Sequence, residues 1–542
     1  MRLVSACCAL LSLIGAGLLF HPAPSPAQSA PLPADRLGSV HFSTSCSADA
    51  QPVVVKGVAL LHSFQYQQAD QVFADAFAKD PHCAIALWGR AMTVYHQLWG
   101  FPSAKELAEA REDLARAGEL QPLTKREREY IAAAKAFFDA DDSLTHKAHV
   151  HAYSAAMAAL HARFPDDAEA AEFYALSLVA LAEDDVEPAA NREKAIAILA
   201  PILRANPLNP GAAHYMIHAT DTSDLAPQGL EAARVYAQIA PDSSHALHMP
   251  SHIFVRLGLW QEAIDSNIAA AASAARATDM HLSDAHYQTH AMDFLQYAYL
   301  QSGQESAARR VAAEVRNVQG LSPEHLADEE TRFACRDALE LHRWREAADL
   351  SVPAIRLAWQ DTVYKVRAIG AARSGNIPAA KADYEKLTEA IAAREAQQKK
   401  EGYPIPEGES LDSRVTRAWI LFAEGKSEEA LEVMRAAAER QEARDVDSVG
   451  VPVREMLADM LLDLHRPAEA LAEYKVSLKL LPNRFNSLDG AARAGRLAGN
   501  ARDAHHYLGQ LVKIAKTWPA ADRPELREAR ELASGLLRNG AQ

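Results

Sequence analysis

The stretch PLNPGAAHYMIHATDTSDLAPQGLEAARVYAQIAPDSSHALHMPSH, residues 207–252, contains one pattern twice. A proline and two histidines four residues apart recur after 34 residues, as Pro207, His214 and His218 and then as Pro241, His248 and His252. Residues at i and i+4 share one face of a helix, and stacked helix hairpins turn equivalent faces the same way. We therefore expect the four imidazoles to face one space.

Helical patterns extend over most of the chain around this stretch. From Val53 onward apolar residues recur at three- and four-residue spacing, and the segments break at Pro, Gly or Asp clusters. No convincing strand pattern is found. A chain of 542 residues exceeds one ordinary core, and the internal repetition favours an array of repeats. The composition, 49% hydrophobic and 7% aromatic, suits closely packed helices with small side chains.

A second pattern indicates the kind of hairpin. Small, aromatic, small and proline residues have the same spacing in two places: Ala69, Phe73, Ala76 and Pro81, and again Ala470, Tyr474, Ser477 and Pro482. Here the chain resembles the tetratricopeptide repeat (TPR) family, whose second helix carries these residue types at these offsets. The resemblance implies an all-α, TPR-like α-solenoid of stacked antiparallel helix hairpins. Small residues let paired helices approach, and the proline ends the helix.

Glycines mark the turns inside further hairpins. In four places a glycine precedes an alanine by five residues: Gly258 and Ala263, Gly303 and Ala308, Gly425 and Ala430, and Gly499 and Ala504. A glycine at this place suits the turn between two antiparallel helices. The TPR resemblance therefore covers most of the chain.

The first residues have the pattern of an export signal. Arg2 precedes an apolar run from Leu3 to Phe20, and small residues near Ala27 provide a site for a signal peptidase. We interpret residues 1–30 as a cleaved signal peptide and the protein as periplasmic or secreted. An uncleaved membrane anchor is the alternative.

Composition also divides the remaining chain. Residues 31–50 form an N-terminal extension, and the Pro- and Gly-rich segment 401–412, EGYPIPEGESLD, predicts a linker. The linker would separate a His-rich array over residues 51–400 from a second array over residues 413–542. Because histidines are concentrated before it, we expect any special chemistry in the first array.

The charge of the chain argues against one class of partner. The formal net charge is -15 and no run of Lys or Arg stands out, whereas binding to a phosphate backbone needs a clustered basic surface. We therefore expect a protein, peptide or small-molecule ligand, no nucleic acid, and no membrane contact after signal cleavage.

Export would leave three cysteines in the chain. In an oxidising compartment Cys46 and Cys83 would form a disulfide that ties the N-terminal segment to the first hairpin. Two separate buried thiols are the alternative. Cys335 lies on a helical pattern and is expected to be a packed thiol rather than a nucleophile.

The TPR resemblance gives each histidine a place in its repeat. In that family a few positions on each hairpin line the concave, ligand-binding surface, and His214, His218, His248 and His252 fall at two of them. By the same count the groove is lined by His62, His96, Glu172, His245, His290 and Tyr297. Asp293 lies on the same face as His290, so carboxylates flank the histidines.

These histidines also have the chemistry of metal ligands. Neutral imidazole binds zinc, copper or iron, and an i, i+4 pair on a helix is a common chelating geometry. The candidate metal ligands are His214, His218, His248, His252 and Asp293, with Glu172 as an alternative carboxylate ligand or base. Two observations argue against all four histidines binding one metal ion. Neighbouring helices lie about 8–10 Å apart, and Pro250 is expected to kink the helix between His248 and His252.

Three functions are compatible with these patterns. The first is an exported repeat protein that binds a ligand or protein partner in a His-rich groove, with no cofactor. The second is a metal-dependent enzyme, a hydrolase or an oxidase, that uses the same histidines, and the third is a structural assembly scaffold. No HExxH, P-loop, GxGxxG or GxSxG motif identifies an enzyme class. The chain is also similar to secreted bacterial TPR-containing proteins that begin with a Thr-Ser-Cys segment, here residues 44–46, which supports the localisation only.

Overall fold

The computed structural model describes residues 36–98, 100–140, 145–184, 188–280, 285–354, 357–400, 405, 408–518 and 521–539. These residues are helical, and no strand occurs among them. The predicted signal peptide and part of the predicted linker, 401–404 and 406–407, lie outside the described residues. Among the helices that are described, none has the length and apolarity to span a membrane.

The helices follow one another in hairpins, with short turns that make chain neighbours antiparallel. The first half contains α1 (Gln51–His62), α2 (Tyr66–Lys79), α3 (Ala84–Thr93), α4 (Ala104–Glu119), α5 (Lys125–Phe138), α6 (His146–Arg163), α7 (Ala168–Asp184), α8 (Pro188–Ala205), α9 (Pro210–Ala219), α10 (Ala226–Ile239), α11 (Ser244–His248), α12 (Pro250–Arg256), α13 (Trp260–Asp279) and α14 (His286–Gln301).

The second half continues in the same way, with a 3-10 turn (Val315–Asn317) after its first helix. It contains α15 (Glu305–Glu314), α16 (Pro323–Glu340), α17 (Trp344–Ala348), α18 (Leu357–Arg373), α19 (Ile377–Lys400), α20 (Leu411–Ala423), α21 (Ser427–Glu442), α22 (Val453–Asp463), α23 (Pro467–Leu480), α24 (Phe485–Leu497), α25 (Ala501–Thr517) and α26 (Pro524–Asn539).

Aromatic side chains of the second helices pack against glycines of the neighbouring first helices. Phe73 of α2 is buried against Gly57 of α1 and Gly89 of α3, where an added Cβ would lie 2.7 Å and 2.4 Å from the ring. Tyr474 of α23 packs in the same way against Gly490 of α24, with a Cβ distance of 2.2 Å. Each ring therefore needs a glycine on a first helix that packs against it.

The predicted glycine turns are present. Gly258, Gly303, Gly425 and Gly499 all have positive φ, between 63° and 80°, and the second helix of each hairpin begins shortly after. Glycine adopts this left-handed conformation without the steric cost of a side chain. The hairpins and their turns confirm the predicted all-α, TPR-like fold.

First helices of successive hairpins contact one another, and one contact joins hairpins that are distant in the chain. Helix α9 contacts α7 and α12, as neighbouring repeats should, but it also contacts α1. The loop after α1 takes part, because the ring of Phe64 lies 4.4 Å from that of His214, measured between centroids. The first hairpin therefore packs directly against the His-rich repeats.

The N-terminal segment is held to the first hairpins by several contacts. Cys46 and Cys83 form a disulfide in the structure, with their Cα atoms 4.6 Å apart. The backbone N–H of Ser45 donates to Glu127 of α5 at 2.7 Å. Cys335 is a buried free thiol on α16, in the place expected for a packing residue.

Candidate metal centre

Three histidines from α9 and α11 form a first triad. The Nε2 atom of His214 lies 3.1 Å from Nε2 of His218 and 3.2 Å from Nε2 of His245. His214 and His218 lie one helical turn apart on α9, and His245 lies on the first helix of the next hairpin. Three imidazole nitrogens thus converge on one point, which is the donor arrangement of a three-histidine metal site.

A second triad follows in the next hairpins. The Nε2 atoms of His248 and His252 lie 3.0 Å apart, and the ring centroid of His290 on α14 lies 4.4 Å from that of His248. One ligand atom from each of these three histidines falls within 4.8 Å of the others. The second triad therefore has the same chemistry as the first.

Pro250 interrupts the second run of histidines. Helix α11 ends at His248 and α12 begins at Pro250, because proline has no N–H to continue the helical hydrogen bonds. His245 and His248 both lie before this interruption, yet His245 joins the first triad and His248 joins the second with His252. The interruption therefore accompanies the convergence of the rings and does not prevent it.

The other ring nitrogen of three of these histidines is occupied. Nδ1 of His214 lies 2.6 Å from the backbone carbonyl oxygen of His62, and Nδ1 of His252 lies 2.8 Å from Oδ2 of Asp221. Both partners only accept hydrogen bonds, so each Nδ1 carries the proton. In the neutral ring Nε2 then has a free lone pair directed into its triad.

Asn267 fixes His248 in the same way. The Nδ2 group of Asn267 donates to the carbonyl of Ala263 at 2.8 Å, which leaves Oδ1 to accept from Nδ1 of His248 at 2.7 Å. His248 therefore also directs an unprotonated Nε2 towards His252. Hydrogen-bond partners that set the ring orientation are characteristic of metal-binding histidines.

Burial favours the neutral form of five of the six triad rings. Desolvation lowers the pKa of His214 and of His248 from 6.5 to about 3 in each case. The pKa values of His218, His245 and His290 are also lowered, first by burial and then by neighbouring histidines. Neutral imidazole is the form that binds metal.

Asp221 is the charged group nearest to the second triad. Burial opposes its ionisation, but Arg256 and the His252 ring outweigh burial and hold the pKa of Asp221 well below its usual range. Its other carboxylate oxygen accepts from Nε of Arg256 at 2.9 Å. The carboxylate is therefore ionised at neutral pH and is held in place beside His252.

The two triads are adjacent, and each includes a partly exposed ring. Ring centroids of His218 and His252 lie 6.3 Å apart, and those of His245 and His248 lie 6.2 Å apart. His214, His245 and His248 are buried, whereas His218, His252 and His290 are partly exposed. Solvent therefore reaches at least one ring of each triad.

A cavity lies beside the first triad. Its volume is about 330 Å³, and Tyr66, His96 and Tyr287 contribute to its wall. The His96 ring stacks on Tyr66 with centroids 4.1 Å apart, and the Tyr287 ring lies 5.8 Å from the His245 ring. His96 thus lines a cavity, although it is not a member of either triad.

Two predicted residues lie elsewhere than the repeat register implied. The Asp293 carboxylate pairs with Arg332 and Arg336 rather than with a triad. Tyr297 is buried and accepts a hydrogen bond from Arg484 at 3.0 Å, so it does not line a groove. In each case an arginine from outside the hairpin of α14 and α15 provides the partner, which the repeat register does not include.

His62 and Glu172 are also placed differently from the prediction. Both are fully buried, so neither lines an open groove. They lie together, with His62 Nε2 3.5 Å from Glu172 Oε2, because α1 and α7 both pack around α9. The sequence does not predict the hydrogen-bond partners of the triads, which are Asp221, Asn267 and the backbone carbonyl of His62. None of these contacts recurs at the repeat spacing, so no pattern marks them.

No protein-family model matches the chain, and no curated protein matches it. Several solved structures are similar at low identity. The TPR domain of P58(IPK) is 14% identical over 84% of this chain and 99% of its own, with a TM-score of 0.21. A monomeric IFIT1 mutant with Gppp-AAAA is 14% identical over 91% and 96%, with a TM-score of 0.35, and Naa15/Naa10 bound to HypK-THB is 15% identical over 90% and 74%, with a TM-score of 0.24.

The assignment of the fold rests on the chain's own hairpins. Consecutive helices pair through glycine turns, aromatic residues of the second helices pack on neighbouring glycines, and first helices stack on one another. By its fold the chain is an all-α, TPR-like helical-repeat protein.

Proposed function

We propose that this protein binds two transition-metal ions side by side, one in each histidine triad, and acts as a metal-dependent enzyme of the oxidase type. The observation that carries the proposal is the pair His248 and His252. Both Nδ1 protons are committed to acceptors, so in the neutral form of both rings two Nε2 lone pairs face each other at 3.0 Å. Such lone pairs repel one another, and a cation between them removes the repulsion.

The donor set favours copper. Six imidazoles and no carboxylate in the triads suit copper, zinc, iron or nickel, and among these copper binds nitrogen ligands most strongly. All six ligands are neutral, so two divalent ions would place a large uncompensated charge in a largely buried site, which is costly. Cu(I) ions carry half that charge, and we therefore propose copper.

The coordination number supports catalysis rather than a purely structural role. Structural metal sites usually have four protein ligands, whereas catalytic sites have three and keep a position for water or substrate. Each triad supplies three ligands and includes a partly exposed ring. Two redox-active ions in adjacent triads could pass electrons from a bound substrate to O2.

We also propose that the protein works outside the cytoplasm. The N-terminal export pattern and the pairing of Cys46 with Cys83 support this location, because disulfides persist in oxidising compartments. The TPR-like fold supports binding of a protein or peptide partner in addition, since stacked hairpins offer extended surfaces.

Copper content of triad variants tests the proposal. The metal-free full-length chain is loaded with Cu(I) in the absence of O2, and bound copper is counted after gel filtration. We expect two ions per chain in the wild type and one ion in each of the double variants His218→Gln/His245→Gln and His252→Gln/His290→Gln.

The control for these variants replaces two exposed histidines, His82→Gln/His505→Gln, and should retain both ions. Copper binding that is equal in all four proteins, or absent from all of them, would contradict the proposal. If no protein binds copper, a proton on His252 would be the cation between the rings of His248 and His252. Consumption of O2 by the reduced, copper-loaded wild type, absent from both triad variants, would support oxidase chemistry.

A further inference from the structure

A third cluster of metal-binding side chains lies beneath the first triad. Its members are His62 of α1 and Glu169 and Glu172 of α7, and all three are buried. His62 Nε2 lies 2.6 Å from Oε2 of Glu169 and 3.5 Å from Oε2 of Glu172. One ligand atom from each residue falls within 4.8 Å of the others.

The two carboxylates are oriented alike. Oε1 of Glu169 accepts the backbone N–H of His41 at 3.1 Å, and Oε1 of Glu172 accepts Nδ2 of Asn209 at 2.6 Å. Asn209 is itself fixed, because its Oδ1 accepts the N–H of Ala212 at 2.8 Å. Each glutamate is therefore held through one oxygen and directs the other, Oε2, towards His62. Outer hydrogen bonds of this kind orient the ligands of metal sites.

The cluster contains two buried carboxyl groups and one basic side chain. In the part of the chain that the structure describes, His62 is the one basic side chain that pairs with Glu169 or Glu172. Oε2 of Glu172 is buried and has no hydrogen-bond partner. A buried carboxylate oxygen without a partner is costly, and a cation beside it would offset that cost. Burial, and next the charge of Glu169, raise the pKa of Glu172.

Gly211 keeps the space beside the cluster open. A Cβ at this position of α9 would lie 2.2 Å from Oε2 of Glu172 and 2.6 Å from Nδ1 of His62. On the outer side, Glu169 and Asn209 contribute to the wall of a cavity of about 830 Å³, which gives an ion a route from solvent. The Tyr215 hydroxyl lies 2.9 Å from His62 Nδ1 and can accept a hydrogen bond from Nδ1–H. In that tautomer the Nε2 lone pair is directed at the two carboxyl groups, where a cation would bind.

We infer that His62 Nε2 and the Oε2 atoms of Glu169 and Glu172 bind a third metal ion, a divalent cation of the manganese or zinc class. Carboxylates favour harder ions than the all-imidazole triads do, so the third site differs from the copper pair in its metal. It is joined to the first triad, because the carbonyl of His62 accepts Nδ1–H of His214 at 2.6 Å. The ion would hold α1 and α7 together and thereby position a ligand of the copper pair.

Mn²⁺ is the probe for this site, because the triads offer it no oxygen ligand. The metal-free full-length chain is titrated with Mn²⁺ alone, and bound ion is measured by electron paramagnetic resonance. We expect one tightly bound Mn²⁺ per chain, and an affinity at least about tenfold weaker in both Glu172→Gln and Glu169→Gln. The control Glu193→Gln, exposed on α8, should bind as the wild type does.

Two further arms make the result decisive. Mn²⁺ should raise the melting temperature of the wild type and of the His218→Gln/His245→Gln variant, but not that of Glu172→Gln. Retention of Mn²⁺ by a chain that binds no copper would leave this inference standing and overturn the proposed copper pair. Absence of Mn²⁺ and Zn²⁺ binding, with an infrared band of a protonated carboxyl group that disappears in Glu172→Gln, would overturn the inference, because the cation would be a proton.

Discussion

At the scale of single residues, hydrogen bonds decide which nitrogen of each imidazole is available. Nδ1 of His214, His248 and His252 is taken by a carbonyl, an amide oxygen and a carboxylate, respectively. Of these partners, Asp221 is the only one that carries a charge. A carboxylate raises the basicity of the ring that it holds, so Asp221 should strengthen metal binding at His252 although it does not touch the ion.

Asp221→Asn should therefore weaken copper binding at the second triad by about 10- to 100-fold. The first triad should be unaffected, because its histidines have other partners. A competition titration with a Cu(I) chelator measures both sites. Asp224→Asn, three residues further along the same loop, is the control and should bind like the wild type. Equal affinities for Asp221→Asn and the wild type would show that the carboxylate merely pairs with Arg256.

Burial of the histidines also predicts a pH dependence of stability. The pKa values of His214 and His248 are about 3 in the folded chain, below the ordinary value of 6.5. Between these values the unfolded chain takes up protons that the folded chain does not. Stability is then fully present above pH 6.5 and is lost as the pH falls towards 3, by up to about 1.4 kcal/mol per pH unit for each ring.

Urea unfolding of the metal-free chain at pH 7.5 and pH 5 measures this effect. The midpoint should be lower at pH 5, and the difference should be smaller in His214→Gln/His248→Gln, which lacks both rings. Identical pH dependence in the two proteins would mean that these histidines do not titrate on unfolding.

At the scale of the helices, glycines set how closely neighbours approach. Gly89 of α3 lies against the ring of Phe73, where a Cβ would come within 2.4 Å, whereas Gly118 of α4 is exposed and meets only the distant end of a lysine, 4.0 Å away. Replacing glycine with alanine should thus change the free energy of unfolding in opposite directions at Gly89 and Gly118.

Gly89→Ala should lower the free energy of unfolding by about 1–3 kcal/mol, because the helices must separate to admit the methyl group. Gly118→Ala should raise it by about 0.5–1 kcal/mol, because alanine favours the helix and nothing obstructs it. Chemical unfolding of both variants provides the comparison. A destabilised Gly118→Ala, or a neutral Gly89→Ala, would contradict the packing described for this hairpin.

At the scale of the whole molecule, the sequence predicts what repeats and does not predict what occurs once. The hairpins, the glycine turns and the proximity of His214, His218, His248 and His252 follow from spacings that recur along the chain. The sequence does not predict the partners of Asp293 and Tyr297, because Arg336 and Arg484 lie outside the hairpin that contains these two residues. The contact between α1 and α9, which places the His62 carbonyl beneath His214, likewise depends on packing between distant hairpins.

The most direct test of the central claim is the position of copper in crystals of the Cu(I)-loaded protein. Anomalous scattering at the copper edge should show two peaks, one within about 2.0–2.2 Å of Nε2 of His214, His218 and His245 and the other equally close to Nε2 of His248, His252 and His290. Copper elsewhere in the molecule, or a refined structure in which the six rings keep their arrangement with no peak between them, would contradict it.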